Sequence, residues 1–280
     1  MNIREILQEV KMTLGPQGDF LGAELLLAFV LKKDRIYLLA HDDEILTNVD
    51  VEKFENLFER MLAGEPVAYL TGNKEFFGMD FLVDKRVLIP RPETEHLVER
   101  VLDYCKQWSG SLRILDVGTG SGCIAVSLAK HLPSAQVTAV DISLDALEVA
   151  GLNAEKNGVK IQFFQSDLLQ SVEGPFDIIV ANLPYIGEKR FAFVTRSVSD
   201  YEPHLALFAG EDGLELYRKF FEQLLATSWK PKLLLGEFGF LQRDELTALF
   251  KKVFTGQEIR FEQDYAHIDR MFVVEWPAIA

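Results

Sequence analysis

Through the first 71 positions apolar residues recur at helical spacing. Ile3, Ile6, Leu7, Val10 and Leu14 follow the i, i+3, i+4, i+7 intervals of one helix face, and Gly15-Pro16 breaks the pattern. Leu21, Leu25, Leu26, Phe29 and Val30 supply a second helix. Val51, Phe54, Leu57, Phe58, Met61 and Leu62 supply another, which Gly64-Glu65-Pro66 ends. From Gly72 to Ile89 short aromatic and β-branched runs surround Gly78-Met79-Asp80, a pattern that predicts a hairpin connecting two domains. Pro90-Arg91-Pro92 reads as a stiff extended turn. Glu93-Thr94-Glu95 then leads into a helix with Leu97, Val98, Val101 and Leu102 on one face, its acidic first turn suited to the helix dipole.

Beyond Gly110 the chain alternates strand and helix. The apolar runs predict strands at Arg113–Val117, Gln136–Val140, Ile161–Phe164, Phe176–Ala181, Lys232–Phe238 and Met271–Trp276. Helices fall between them at about Gly122–His131, Ser143–Asn157, Gly213–Thr227 and Gln242–Lys251. Such alternation specifies an α/β fold with a mostly parallel sheet and helices on both faces. In that architecture ligands sit at the carboxyl ends of the strands, at the topological switch point.

Composition narrows the possibilities. The 280 residues are 48% apolar, enough for a real core, and carry 29 basic against 43 acidic side chains, a net charge of −14. That balance argues against a protein that grips nucleic acid mainly through phosphate charge, although a local basic groove is compatible with it. Two cysteines, Cys105 and Cys123, make no disulfide framework and suggest a reducing compartment. The five histidines are scattered without ligand spacing, so no metal is expected. The N-terminus mixes charges with apolar residues, unlike a secretory signal, and the apolar run Leu21–Leu31 is far short of the ~20 residues of a membrane span. A cytoplasmic protein without membrane partners is the expectation. The first 71 residues hold 7 basic and 13 acidic side chains and nothing that looks catalytic. They read equally as a solvated helical bundle or as a docking module for a protein partner.

The chemistry gathers at strand ends. Ile114-Leu115-Asp116-Val117-Gly118-Thr119-Gly120-Ser121-Gly122 is a buried strand entering a glycine-rich turn and then a helix. Its Gly-x-Gly-x-Gly spacing differs from the Gly-x-Gly-x-x-Gly that cradles a dinucleotide pyrophosphate. Asp141 closes the next strand, where a carboxylate can accept ribose hydroxyls; Asp167, followed by Leu168, closes the third, where a purine edge could lie. Asp116 adds a carboxylate beside the turn. Three acidic residues at successive strand ends would repel a pyrophosphate and suit a ligand with an ammonium and a sulfonium, S-adenosylmethionine.

The fourth strand ends in Ala181-Asn182-Leu183-Pro184-Tyr185. The lone pair of a planar amide or exocyclic amine is delocalised, so that nitrogen is a poor nucleophile. A side-chain amide oxygen and a backbone carbonyl can accept its two N–H groups, hold it in line with a methyl donor and favour pyramidalisation. Asn182 offers the side-chain oxygen, Leu183 the carbonyl, and Tyr185 a ring for the planar group.

With these residues in view, the chain resembles the release factor glutamine methyltransferases, the PrmC or HemK family, over nearly its whole length. The resemblance rests on Glu65-Pro66-Val67-Ala68-Tyr69-Leu70-Thr71-Gly72, Phe76-Phe77-Gly78 and Leu88-Ile89-Pro90-Arg91-Pro92-Glu93-Thr94-Glu95. The Asp116–Gly122 turn, Asn182–Tyr185, Glu237-x-Gly-x-x-Gln242 and Asp269-Arg270 continue it. It implies a class I S-adenosylmethionine-dependent methyltransferase with a Rossmann-like sheet. The domains would be a helical docking domain over 1–71, a hairpin linker over 72–91 and a catalytic domain over 92–280. It implies N5-methylation of the glutamine in the Gly-Gly-Gln tripeptide of class-1 peptide-chain release factors, by a monomer. Gly118, Thr119, Gly120, Ser121 and Gly122 would line the methionine part of the cofactor, Asp141 would bind the ribose, and Asp167 and Leu168 would flank the adenine. Asn182, Leu183, Pro184 and Tyr185 would hold the glutamine, with Asn182 and Asp116 also counted among the residues at the cofactor, and Arg91, Pro92 and Glu93 lie on the segment that the family packs over the site.

Two positions depart from the family pattern. Leu183 replaces the usual proline, keeping the carbonyl but losing the fixed φ near −65°. His267-Ile268 stands where glycine tends to precede the Asp-Arg pair, and His267 would titrate near neutral pH if it approached the site. Asn-Leu-Pro-Tyr is also used by ribosomal RNA adenine dimethylases, which makes an N6-adenine methyltransferase the alternative. Net charge, the absence of a basic run and the leading helical domain oppose it. A catalytically silent scaffold is a third reading, opposed by the intact Asn182, Pro184, Tyr185 and glycine turn.

Overall fold

The computed structural model describes residues 1–108, 110–188 and 194–276. Its chain separates into two compact units, one of Met1–Asn73 with Arg196–Tyr201 and one of Lys74–Thr195 with Glu202–Ala280. The expected catalytic span 92–280 ends at residues 277–280, outside the described residues.

The first unit is helical: α1 (Ile3–Leu14), α2 (Phe20–Leu31), α3 (Arg35–Ala40), α4 (Asn48–Leu62) and α5 (Val67–Thr71). Asn2 caps α1 reciprocally with Glu5, and Asp19, Asp34 and Thr47 cap the next three helices, each accepting a backbone N–H. Ile3, Ile6 and Val10 of α1 pack with Ala23, Leu26 and Leu27 of α2, Leu38, Phe54 and Leu70 in one core. Glu24 enters this core edge paired with Arg35 at 2.5 Å. The short α3 and α5 were not apparent from periodicity, since six and five residues are too few to show it. This unit also takes in Arg196–Tyr201, whose Tyr201 hydroxyl donates to the Ala63 carbonyl at 3.3 Å.

The second unit holds a seven-stranded sheet. A hairpin of β1 (Asn73–Phe76) and β2 (Met79–Leu82) turns at Phe77-Gly78, both at positive φ. A 3₁₀ turn at Pro92–Thr94 and α6 (Glu95–Cys105) follow. The chain then alternates through β3 (Arg113–Val117), α7 (Cys123–His131), β4 (Gln136–Asp141), α8 (Leu144–Asn157), β5 (Gln162–Gln165) and β6 (Ile178–Ala181). After the short α9 (Arg196–Tyr201) come α10 (Glu215–Ala226), β7 (Leu233–Glu237), α11 (Arg243–Val253), β8 (Glu258–Gln263) and β9 (Asp269–Glu275).

The sheet order is β5-β4-β3-β6-β7-β9-β8, with β3 to β7 parallel and β9 antiparallel to both neighbours. Central strands read as unbroken apolar runs because both faces are covered. Ile114, Ile178, Val180, Leu233 and Leu235 face one core with α6 and α7. Their neighbours Leu115, Val117, Ile179, Ala181 and Leu234 face the other, with Tyr217, Phe220, Phe221 and Phe250 of α10 and α11. Strand β8 is an addition to the strands that the apolar runs predict. Its Glu-Ile-Arg-Phe-Glu-Gln alternation, with Ile259 and Phe261 inward, is the signal of a half-covered edge strand. The fourth parallel strand starts at Ile178 rather than Phe176. Asp177 is occupied just before it, accepting the Arg113 N–H at 2.9 Å and pairing with Lys232 at 2.8 Å. From β3 the chain winds outward through β4 and β5, then returns to lay β6 on the other side of β3, so β3 and β6 frame the switch point.

Candidate active site

A cleft of about 1090 Å³, counting its open mouth, lies at the carboxyl ends of the parallel strands. Its wall includes Gly118, Thr119, Gly120 and Ser121 after β3, Asp141 after β4, Asp167 and Leu168 after β5, and Asn182, Leu183 and Pro184 after β6. Arg91 and Thr94 line it from the segment before α6. Asp116, Gly122 and Tyr185 are not part of this wall.

The turn after β3 is held by backbone bonds. Gly118 and Thr119 N–H groups both donate to the Val140 carbonyl, at 2.9 and 3.0 Å, tying the turn to β4. Gly118 sits at φ +75°, and a Cβ there would lie 3.1 Å from Leu183 Cδ2, so only glycine fits without displacement. Gly122 serves packing: a Cβ would meet Ala150 Cβ of α8 at 3.0 Å. Gly120 differs, because a Cβ would meet nothing within 4 Å, leaving its backbone open to the cleft.

The three strand-end carboxylates have separate fates. Asp141 accepts the Gly120 N–H at 2.9 Å and the Ser143 N–H at 2.9 Å; burial raises its pKa while these bonds oppose the shift. It faces the cleft with no cationic partner among the described residues. Asp167 is paired with Lys219 at 2.5 Å. Asp116 is fully buried, with Thr119 Oγ1 donating to one oxygen at 2.6 Å and the other oxygen unpartnered. Burial pushes its pKa up to about 7. Of the three strand-end carboxylates, Asp141 and Asp167 line the cleft, Asp167 within a part-exposed ion pair with Lys219, while Asp116 is sealed in the core. An open glycine backbone, an available carboxylate and apolar walls still fit a ligand that carries hydroxyls and a positive charge. Among the described residues no group of three His, Cys, Asp or Glu side chains converges as a metal would need.

The segment after β6 is held by side chains. Asn182 Nδ2 donates to Thr94 Oγ1 at 3.1 Å, and Thr94 Oγ1 donates to Glu237 Oε2 at 2.7 Å. The Tyr185 hydroxyl donates to Glu237 Oε1 at 3.0 Å, which fixes the ring of this half-buried tyrosine. Burial raises the Tyr185 pKa well above its usual value, and the Glu237 charge adds to this. Gln242, fully buried, donates to the Tyr185 carbonyl at 2.9 Å and accepts the Gly239 N–H at 2.7 Å. Leu183 turns its side chain into the core against Gly118, 2% exposed. Packing thus stands where proline would have restricted φ.

Several further residues escaped the sequence reading. Glu202, its side chain 1% exposed, accepts the Ile89 N–H at 3.1 Å and pairs with Arg91 at 2.5 Å, fixing the Pro90–Pro92 segment at the cleft. Asn153 of α8 bonds both backbone groups of Leu82 and the Ser121 carbonyl, joining hairpin, helix and glycine turn. Neither has a local signature, since each acts on backbone far away in sequence. His267 lies in the exposed turn between β8 and β9 and does not line the cleft.

Comparison with known proteins agrees with this arrangement. Residues 5–72 match the PrmC N-terminal domain model, and residues 94–205 match the Methyltransferase small domain model. A release factor glutamine methyltransferase of Koribacter versatilis is 47% identical over 236 residues, covering 82% of this chain and 83% of that protein. Its counterpart in Bacillus subtilis is 40% identical, covering 89% of this chain and 88% of that protein. The hMettl16 catalytic domain superposes with a TM-score of 0.60 at 16% identity, over 76% of this chain and 82% of that one, and shows a shared fold. With strand order, glycine turn, Asn-Leu-Pro-Tyr segment and close relatives all in agreement, the chain belongs to the release factor glutamine methyltransferase family.

Proposed function

We infer that this protein methylates the side-chain amide nitrogen, N5, of the glutamine in the Gly-Gly-Gln tripeptide of class-1 peptide-chain release factors, using S-adenosylmethionine. The observation that carries the reading is the Asn182 amide. Its nitrogen is engaged by Thr94, and its oxygen has no hydrogen-bond partner among the described residues at the wall of the cleft. An amide oxygen left free beside a methyl-donor site is what a planar N–H₂ group requires.

The open backbone at Gly120 and the Asp141 carboxylate would hold the cofactor, with Leu168 giving an apolar contact for its base. When bound, S-adenosylmethionine supplies an electrophilic methyl group on a sulfonium. Asn182 Oδ1 and the Leu183 carbonyl would each accept one N–H of the glutamine amide, which orients its nitrogen and weakens its conjugation. Asn182 and Leu183 thus act by positioning, without a strong base. The net acidic helical unit would dock the factor, and the protein would work as a monomer in the cytoplasm on protein rather than nucleic acid. No helix among the described residues is long and apolar enough to cross a membrane.

Transfer of a labelled methyl group to a purified class-1 release factor tests this directly. Label is expected on the intact factor and on neither a Gly-Gly-Gln glutamine-to-alanine variant nor total ribosomal RNA. Label on the RNA alone would overturn the reading in favour of adenine.

A further inference from the structure

The Asn182 amide presents an acceptor on one side and a donor on the other, and a half-turn about its terminal bond exchanges them. Only one of these orientations can receive a substrate N–H. Nothing in Asn182 itself selects it.

The selection comes from two residues on other elements. Thr94 Oγ1 receives the Asn182 N–H at 3.1 Å while donating its own proton to Glu237 Oε2 at 2.7 Å. Glu237 stands at the end of β7, 143 residues beyond Thr94, with its second oxygen taken by the Tyr185 hydroxyl at 3.0 Å. Both side chains are buried, Thr94 at 2% and Glu237 at 3% exposure, so water does not compete for these bonds. Two hydroxyl donors and the charge of Arg270 favour the ionised form of Glu237 against the cost of burial, and an ionised carboxylate only accepts. Every donor in the chain must therefore point toward Glu237, and the asparagine is left with its oxygen outward.

We propose that Thr94 and Glu237 are positioning residues for methyl transfer, locking the Asn182 amide with its oxygen toward the substrate and polarising that oxygen through a one-way chain of hydrogen bonds. The inference rests on the role given to Asn182 above. Polarisation follows because each bond in a directed chain strengthens the next, and the chain ends on a buried negative charge. Glu237→Gln would break the direction: the new amide can donate to Thr94, whose hydroxyl is then free to donate to Asn182 Oδ1 and turn the amide around.

The test compares Thr94→Val, which removes the hydroxyl at nearly constant shape, with Thr94→Ser, which retains it. In the ¹⁵N-labelled full chain, the Asn182 side-chain amide is assigned by its absence from Asn182→Asp. A slowly exchanging Nδ2 proton is expected in the wild type and Thr94→Ser and is expected to be lost in Thr94→Val. With a release factor as substrate, Thr94→Val and Glu237→Gln should each lower kcat by about 10- to 100-fold, with Thr94→Ser within about threefold of wild type. Cofactor Kd should stay within about twofold throughout, because only an orientation is lost. Unchanged kcat and a retained slow proton in Thr94→Val would overturn the proposal. So would equal losses of cofactor affinity in the valine and serine variants, which would mark a purely structural role. If the wild type methylated no release factor, the functional reading would fall, while proton exchange would still decide the lock.

Discussion

Two buried carboxylates flank the switch point, and their surroundings differ. Asp116, at the end of β3, receives one hydroxyl from Thr119, three residues away, and leaves its other oxygen unpartnered. Glu237, at the end of β7, receives hydroxyls from Thr94 and Tyr185, which are remote in sequence, and feels the positive charge of Arg270. Burial raises the pKa of both, but only Glu237 has bonds on both oxygens and a cation to resist it. The β3 side is shaped by backbone and keeps its acid as a half-satisfied core group. The β6–β7 side is shaped by side chains and uses its acid to direct them. Equal burial thus carries a stability cost in one place and a geometric constraint in the other.

The largest effect is expected where that constraint is read out. Asn182→Ala removes the amide oxygen and should lower kcat by about 10²- to 10³-fold with little change in cofactor affinity. Titration calorimetry showing a large loss of cofactor binding would instead put Asn182 in the cofactor site.

Next comes the carboxylate under the glycine turn. With its pKa raised from 3.8 to about 7, Asp116 stabilises the fold fully below pH 4. Between these values the unfolded chain has released the proton and the folded one has not, so stability falls by about 1.4 kcal/mol per pH unit and levels off above pH 7. Asp116→Asn keeps an acceptor for Thr119 and removes the slope. Its stability relative to wild type in urea titrations should rise by up to about 4 kcal/mol between pH 4 and 8. A gap independent of pH would mean that Asp116 is ionised in the fold across that range.

The smallest effect probes the backbone turn. Gly118→Ala places a side chain at φ +75° and 3.1 Å from Leu183, and should cost about 1–3 kcal/mol in urea denaturation. Adding Leu183→Val should recover the part due to the clash and leave the part due to the dihedral. No recovery would mean that Leu183 yields freely and that the turn alone sets the cost.

The same contrast explains what could be read from the chain. The helical first unit, the alternation from β3 to β7 and the glycine turn are legible in the chain, because helical and strand periodicity and tight turns are encoded within a few neighbouring residues. The sequence also placed Asp141 and Asn182 at strand ends. Their partners could not be read there: Thr94 and Glu237 meet only because the start of α6 packs against β7, 143 residues further along the chain, and Glu202 reaches Arg91 across 111 residues. Only the fold shows that Asp116 is sealed, that Lys219 pairs with Asp167, and that the Tyr185 hydroxyl is bound to Glu237. Charge and hydrogen-bond direction depend on which distant groups share a dry interior, and local pattern carries no record of that meeting.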